Sequence, residues 1–294
     1  MKAAGILVFD VVLCLASACV SNVPSPHRRA DVSPSPSVAA MNANDQSAKE
    51  GNFAANLPAG FQMPSDDAGR RLLKEYGALF VARGVAVPNV VVFKDAAAVR
   101  EFQASAGSAT EKIGDAVVEL QESAMRALKE AIGDGAKSGL KITPRGEDAA
   151  KRSYEDTVSL WTSRVEPGLE HWLSAGRISA ADAQRIRSLP PYEQVPEIFK
   201  LEQQGIFFSK DLSKSIIYSV APPGASQHLS MLALDVSEYD DANVRALLAR
   251  HGWFQTVVSD LPHFTFLGVS ETELSDLGLK KVVNADRLFW IPNL

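Results

Sequence analysis

The stretch that most constrains this chain runs from Pro222 to Gly268. MLALDV (231–236) is a short apolar run of strand type that ends at an acid, Asp235. A helix follows, capped by Asp240 or Asp241, striped by Val244, Leu247 and Leu248, and stopped by Gly252. WFQTVV and HFTFLGV then flank a Ser-Asp-Leu-Pro turn, the pattern of an antiparallel hairpin. Period-two alternation puts His263, Thr265 and Leu267 on one face of the second strand, with Phe264 and Phe266 on the other. Strand, helix and hairpin in this order, preceded by helices, predict an α+β fold.

The same region gathers chemistry. SIIYSV (215–220) reads as a strand, and the loop APPGASQ carries the chain from it to His228. His228 therefore sits at a loop–strand junction, Asp235 at a strand end and His263 at the start of a hairpin strand. A carboxylate closing a buried run needs a cationic partner, because an unpaired one is costly to bury. Three nitrogen and oxygen ligands from separate elements, with a fourth position open to water, is the plan of a catalytic zinc site. The only cysteines are Cys14 and Cys19, so the folded part has no disulfide and any metal must be held by nitrogen and oxygen. Asp260, across the turn from His263, is placed to act as the base on a bound water. Each residue also has an ordinary reading. His228 would be a loop histidine bonded to backbone, Asp235 a strand-end cap, Asp260 the acid of a type I turn and His263 a half-buried strand residue. The metal reading needs one explanation for the four residues; the ordinary one needs four.

Residues 1–19 have the form of an export signal, with Lys2 before an apolar run and Ala16-Ser17-Ala18 supplying small residues for cleavage, although Asp10 interrupts the run. LASAC resembles a bacterial lipobox, in which Cys19 would carry the lipid that anchors the protein to a membrane; the alternative is plain cleavage after Ala18. Residues 20–64, rich in Pro, Ser, Ala and Asn, read as a flexible tether that includes His27. Residues 65–294 suffice for one core. A net charge of -5 with no basic stripe excludes nucleic acid as the main partner.

Upstream of the site the pattern is scaffold. Ser65 is placed to cap a helix carrying Leu72, Leu73, Tyr76, Leu79 and Phe80, ended by Gly84. The β-branched run from Pro88 to Phe93 reads as a strand, and 95–105 as a short helix. Val117, Leu120, Ala124, Leu128 and Ile132 form a helical stripe ended by Gly133-Asp134-Gly135. LKIT (140–143) reads as a strand feeding a helix capped at Thr143 and Pro144, with Tyr154, Val158, Trp161 and Val165 on its buried face. Ser179 and Asp182 open another helix, and a last one follows Pro190-Pro191 to about Gln204. His171, beside Trp172, has no ligand-type residues spaced around it.

At Ser226, His228, Ala233, Asp235 and His263 the sequence resembles the VanY-like zinc D-alanyl-D-alanine carboxypeptidase family, whose pattern is Ser-x-His, Gly-x-Ala-x-Asp, then an acid three residues before a final His. Asp260 stands where those carboxypeptidases have Glu and is similar to the related L-alanyl-D-glutamate peptidases of phage endolysins. Met231 stands where the family has Gly. Arg152-Ser153-Tyr154-Glu155 resembles the family's Tyr-Arg-Ser-Tyr stretch, whose Arg binds a substrate carboxylate; Arg145, in ITPRG, is the competing candidate. The resemblance covers about residues 140–269. It implies a small antiparallel sheet flanked by helices, a zinc ion held by His228, Asp235 and His263, and cleavage of peptidoglycan stem peptides with Asp260 as general base. His251 and Trp253, just before the hairpin, would line the substrate cleft along with Ser226. D-alanyl-D-alanine carboxypeptidase is the first expectation. The alternatives are an endopeptidase acting on L-Ala–D-Glu or a crosslink, and a cell-wall-binding lipoprotein that kept the fold without the activity.

Overall fold

A computed structural model describes residues 52–294. The export signal, Cys19, His27 and the tether up to residue 51 lie outside the described residues.

The fold combines helices with small antiparallel sheets, as the α+β expectation required. The described residues contain helices α1 (Asp67–Tyr76) and α2 (Ala96–Ala106), then a hairpin of β1 (Ala109–Ile113) and β2 (Ala116–Leu120). Helices α3 (Glu122–Lys137), α4 (Tyr154–Ser174), α5 (Ala180–Ser188) and α6 (Gln194–Glu202) follow. The chain then forms β3 (Ala233–Asp235), α7 (Ala242–Arg250), β4 (Trp253–Phe254) and β5 (His263–Phe266), and ends in a hairpin of β6 (Leu279–Asn284) and β7 (Arg287–Pro292). Among the described residues no helix is long and apolar enough to cross a membrane.

The central sheet has the order β3-β5-β4, all antiparallel. One apolar core covers it with α3, α7 and the β1–β2 hairpin, using Leu128, Leu234, Leu247, Trp253 and Phe264. A second core joins α1, α4, α5 and α6 through Leu72, Trp161, Ile186 and Ile198.

The fold begins earlier than the sequence indicated. Phe53, assigned to the tether, is 1% exposed in the first core. A Cβ on Gly278 would lie 2.2 Å from the Phe53 backbone nitrogen, so this segment is clamped by a close backbone approach.

Several element assignments need correction. Val117 and Leu120 belong to β2, because Gly114, at φ +62°, and Asp115 form a two-residue turn that closes a hairpin before α3 starts. Gly133 and Gly135 do not stop α3, which runs through both. A Cβ on Gly135 would lie 2.9 Å from a methyl of Leu247, so this glycine serves the α3–α7 approach. SIIYSV is a 3-10 turn at Ile216–Tyr218 and not a strand; the Glu202 carboxylate accepts from the Ile216 N–H at 2.6 Å and from the Ser215 hydroxyl, in place of a neighbouring strand. LKIT and Pro88–Phe93 form no ladder. Isolated bridges occur at Pro144, the residue after LKIT, with Val236 and at Val90 with Gln62. Pro144 has no N–H to extend the first one. Helix α4 accordingly starts later, with Ser153 and Asp156 forming a reciprocal cap.

Candidate metal centre

The register of the central sheet sets two of the three ligand positions. Asp235, the last residue of β3, lies directly opposite His263, the first of β5, and their side chains meet with Asp235 Oδ1 3.2 Å from His263 Nδ1. His228 comes from a 3-10 turn, Gln227–Ser230, that leads into β3. Met231 makes the connection with φ +57°, a left-handed conformation that explains why a glycine suits this position. His228 Nε2 lies 3.4 Å from the same Asp235 oxygen. One ligand atom from each of the three residues falls within 4.8 Å of the other two, a grouping that could hold a metal ion.

The hydrogen bonds identify which nitrogens face inward. His228 Nδ1 lies 2.6 Å from the Ala150 carbonyl oxygen. That oxygen can only accept, so Nδ1 carries the proton and Nε2 the lone pair. Nε2 is buried and has no hydrogen-bond partner. On the other side, His263 Nε2 lies 2.8 Å from the Gln227 side-chain oxygen, which likewise requires a proton there and leaves the lone pair on Nδ1. With both rings neutral, two imidazole lone pairs thus point at a carboxylate oxygen with no proton between them. This is the donor set of a divalent cation with nitrogen and oxygen ligands, and the orphaned His228 Nε2 is the observation that fits one.

The electrostatics show what the metal-free site does instead, taking up protons between the histidines and Asp235 where a cation would sit. Burial would raise the Asp235 carboxyl, but His228 and His263 beside it hold it well below the usual carboxylate range. Burial also lowers His228, against the pull of Asp235, which favours the neutral imidazole a metal needs. Arg152 Nη2 donates to Asp235 Oδ2 at 2.9 Å, leaving Oδ1 to the two histidines. The irregular segment before α4 fixes these parts, since the Asp235 N–H donates to the Ala149 carbonyl at 2.8 Å.

A cavity of about 240 Å³ opens onto His228 and His263. Its walls include Ser226, Arg152, Arg164, Tyr76 and Asp260. Asp260 is exposed there, in the turn before β5. Ser259, beside it, donates to Glu75 Oε1 at 3.3 Å, which ties the turn to α1.

Three residues expected in the cleft are elsewhere. Trp253 pairs with Phe266 in the β4–β5 register, so it shares the face opposite His263 and Thr265 and is fully buried. His251 ends α7 and turns to α3, with Nε2 3.2 Å from Asp134 Oδ2. The Arg145 guanidinium stacks over the Tyr239 ring at 5.6 Å from its centre and does not line the cavity. Of the two arginine candidates, Arg152 is at the site but its Nη2 is engaged by Asp235.

The sequence reading missed Arg164 and Gln227. Arg164, on α4, lines the cavity, with Nε donating to Ser219 Oγ at 2.9 Å and Nη1 to Ser163 Oγ at 2.8 Å. Among the described residues it forms no ion pair. Its helical spacing from Trp161 and Val165, beside the buried stripe, was the available signal. Gln227, between Ser226 and His228, carries no such signal, since only the fold turns it onto His263.

No protein-family model and no curated protein matches the sequence. Among solved structures, VanYB in complex with D-alanine-D-alanine matches at 15% identity, over 60% of this chain and 87% of that one, with a TM-score of 0.36. The vancomycin-resistance D,D-pentapeptidase VanY from a VanB-type cassette, in complex with Zn(II), matches at 14% identity, over 56% of this chain and 82% of that one, with a TM-score of 0.33. The LdcB LD-carboxypeptidase matches at 16% identity, over 54% of this chain and 63% of that one, with a TM-score of 0.32. The likeness is distant, and the chemistry of the site is read from its own atoms.

Proposed function

We propose that this protein is a zinc-dependent peptidase of peptidoglycan stem peptides, acting as a D-alanyl-D-alanine carboxypeptidase. The observation that carries the metal part is the pair of inward lone pairs, on His228 Nε2 and His263 Nδ1, facing Asp235 Oδ1 beside a cavity. The substrate class follows from the resemblance of Ser226, His228, Ala233, Asp235 and His263 to the VanY-like pattern. An exported protein, lipid-anchored through Cys19 or free after cleavage, would meet that substrate outside the cytoplasm.

His228, Asp235 and His263 would hold the ion, which would supply a Lewis acid for the scissile carbonyl and a water of lowered pKa. Asp260 would take the proton of the attacking water and return it to the leaving amine. Its side chain is one methylene shorter than the Glu it replaces, which the turn or a relaying water must make up. Arg152 sets the carboxylate geometry of Asp235. Arg164, the cavity's cation without a carboxylate partner, would hold the terminal carboxylate of the substrate by charge-assisted hydrogen bonds.

Incubating the purified protein with defined muropeptides, with and without chelator, tests this reading by the masses of the products. Chelator-sensitive release of free alanine supports it. Cleavage within the stem supports the endopeptidase alternative, and no cleavage with any added metal would favour the binding-protein alternative.

A further inference from the structure

His263 has two nitrogens, and a neighbour outside the ligand set decides which of them faces the cation. Gln227 is 1% exposed, on the 3-10 turn beside His228. Its amide is held at both ends. The Nε2 group donates to the Tyr76 carbonyl at 2.8 Å. That carbonyl, at the end of α1, has no proton to give, so the amide cannot be turned around without setting two acceptors against each other. Oε1 is therefore the end that faces His263, 2.8 Å from Nε2. It also accepts the Thr265 hydroxyl, and Thr265 shares a hydrogen bond of 2.6 Å with Thr256. Every group in this network is buried.

We propose that Gln227 is a positioning residue that selects Nδ1 of His263 as the metal-binding nitrogen, with the C-terminal end of α1 as its anchor. The logic is that of a buried amide fixed in one orientation by a carbonyl. An acceptor at Nε2 compels the proton there and turns the Nδ1 lone pair towards Asp235. The inference rests on the metal-centre reading above. It also gives the α1 segment, which lies outside the region of family resemblance, a part in the site, because Tyr76 supplies the carbonyl.

The test pairs imidazole nitrogen NMR of the metal-free protein with zinc affinity by chelator competition, for wild type, Gln227→Met and Gln227→Glu. Wild type is expected to carry the His263 proton on Nε2. Gln227→Met should let the other tautomer appear and weaken zinc binding by about 10–100-fold, the range for outer-shell partners of metal-bound histidines. Gln227→Glu keeps an acceptor facing His263 and should hold zinc affinity near wild type, even though its second oxygen, set against the Tyr76 carbonyl, lowers stability. A purely structural role would make affinity follow stability across both variants. Wild type that binds zinc while Gln227→Met binds it equally well overturns this proposal alone, as does a His263 proton on Nδ1. Wild type that binds no zinc overturns the metal centre and this proposal with it.

Discussion

Arg152 donates from Nη2 to the outer oxygen of Asp235 at 2.9 Å, and both side chains are only 16% exposed. The arginine expected to grip substrate is thus spent largely on the carboxylate of the candidate metal site. Arg152→Met should destabilise the metal-free protein by about 1–3 kcal/mol, below the cost of breaking a fully buried pair because some solvent reaches it. Zinc would reduce that loss by giving Asp235 another cation. Denaturant unfolding with and without zinc measures both; equal losses in the two conditions would mean that Arg152 and the metal do not share Asp235.

Asp260→Asn should retain zinc and lose turnover by about 10²–10⁴-fold, the range for a general base. Metal content and steady-state rates on one preparation separate the two effects. An unchanged rate would remove Asp260 from the mechanism.

Arg164→Gln should raise KM about 10–100-fold for peptides with a free terminal carboxylate, as expected from losing a charge-assisted hydrogen bond. For the matching C-terminal amides wild type and variant should be alike. Equal effects on acids and amides would assign Arg164 to packing or to another part of the substrate.

Met231 tests a local conflict. A non-glycine residue in the left-handed region costs about 1–2 kcal/mol, and Met231 has φ +57°. Its side chain is also fully buried, and deleting a buried side chain of that size costs about 2–5 kcal/mol. Burial outweighs strain, so Met231→Gly should lower stability by about 1–3 kcal/mol in equilibrium unfolding. A stabilised variant would show that strain dominates there.

The sequence was most informative where the polar and apolar pattern is local. Asp241 caps α7 and Ser179 caps α5, as read from adjacent residues, and β4 and β5 do pair antiparallel, although β4 stops at Phe254 and residues 255–258 join the connection. Period-two alternation placed His263 and Thr265 on one face, and both side chains do reach Gln227. The reading failed where a distant partner decides. Ser215 and Ile216 turn because Glu202, from α6, satisfies them, and Gly135 stays helical because Leu247 packs on it. Val117 and Leu120 fit a helical stripe as well as a strand, and the Gly114 turn settles the matter. Trp253 was placed by its nearness in sequence to the hairpin, but the β4–β5 register sends it to the opposite face. Gln227 was invisible because its role depends on the Tyr76 carbonyl, far away in the chain.

The most direct test of the whole account is metal titration of the purified protein, followed by the same titration on His228→Ala, Asp235→Ala and His263→Ala. Because the three ligands converge on one point, about one zinc per chain should bind tightly to wild type, and each substitution should abolish that binding. Wild type that takes up no divalent ion, or variants that bind zinc as wild type does, would contradict the metal centre.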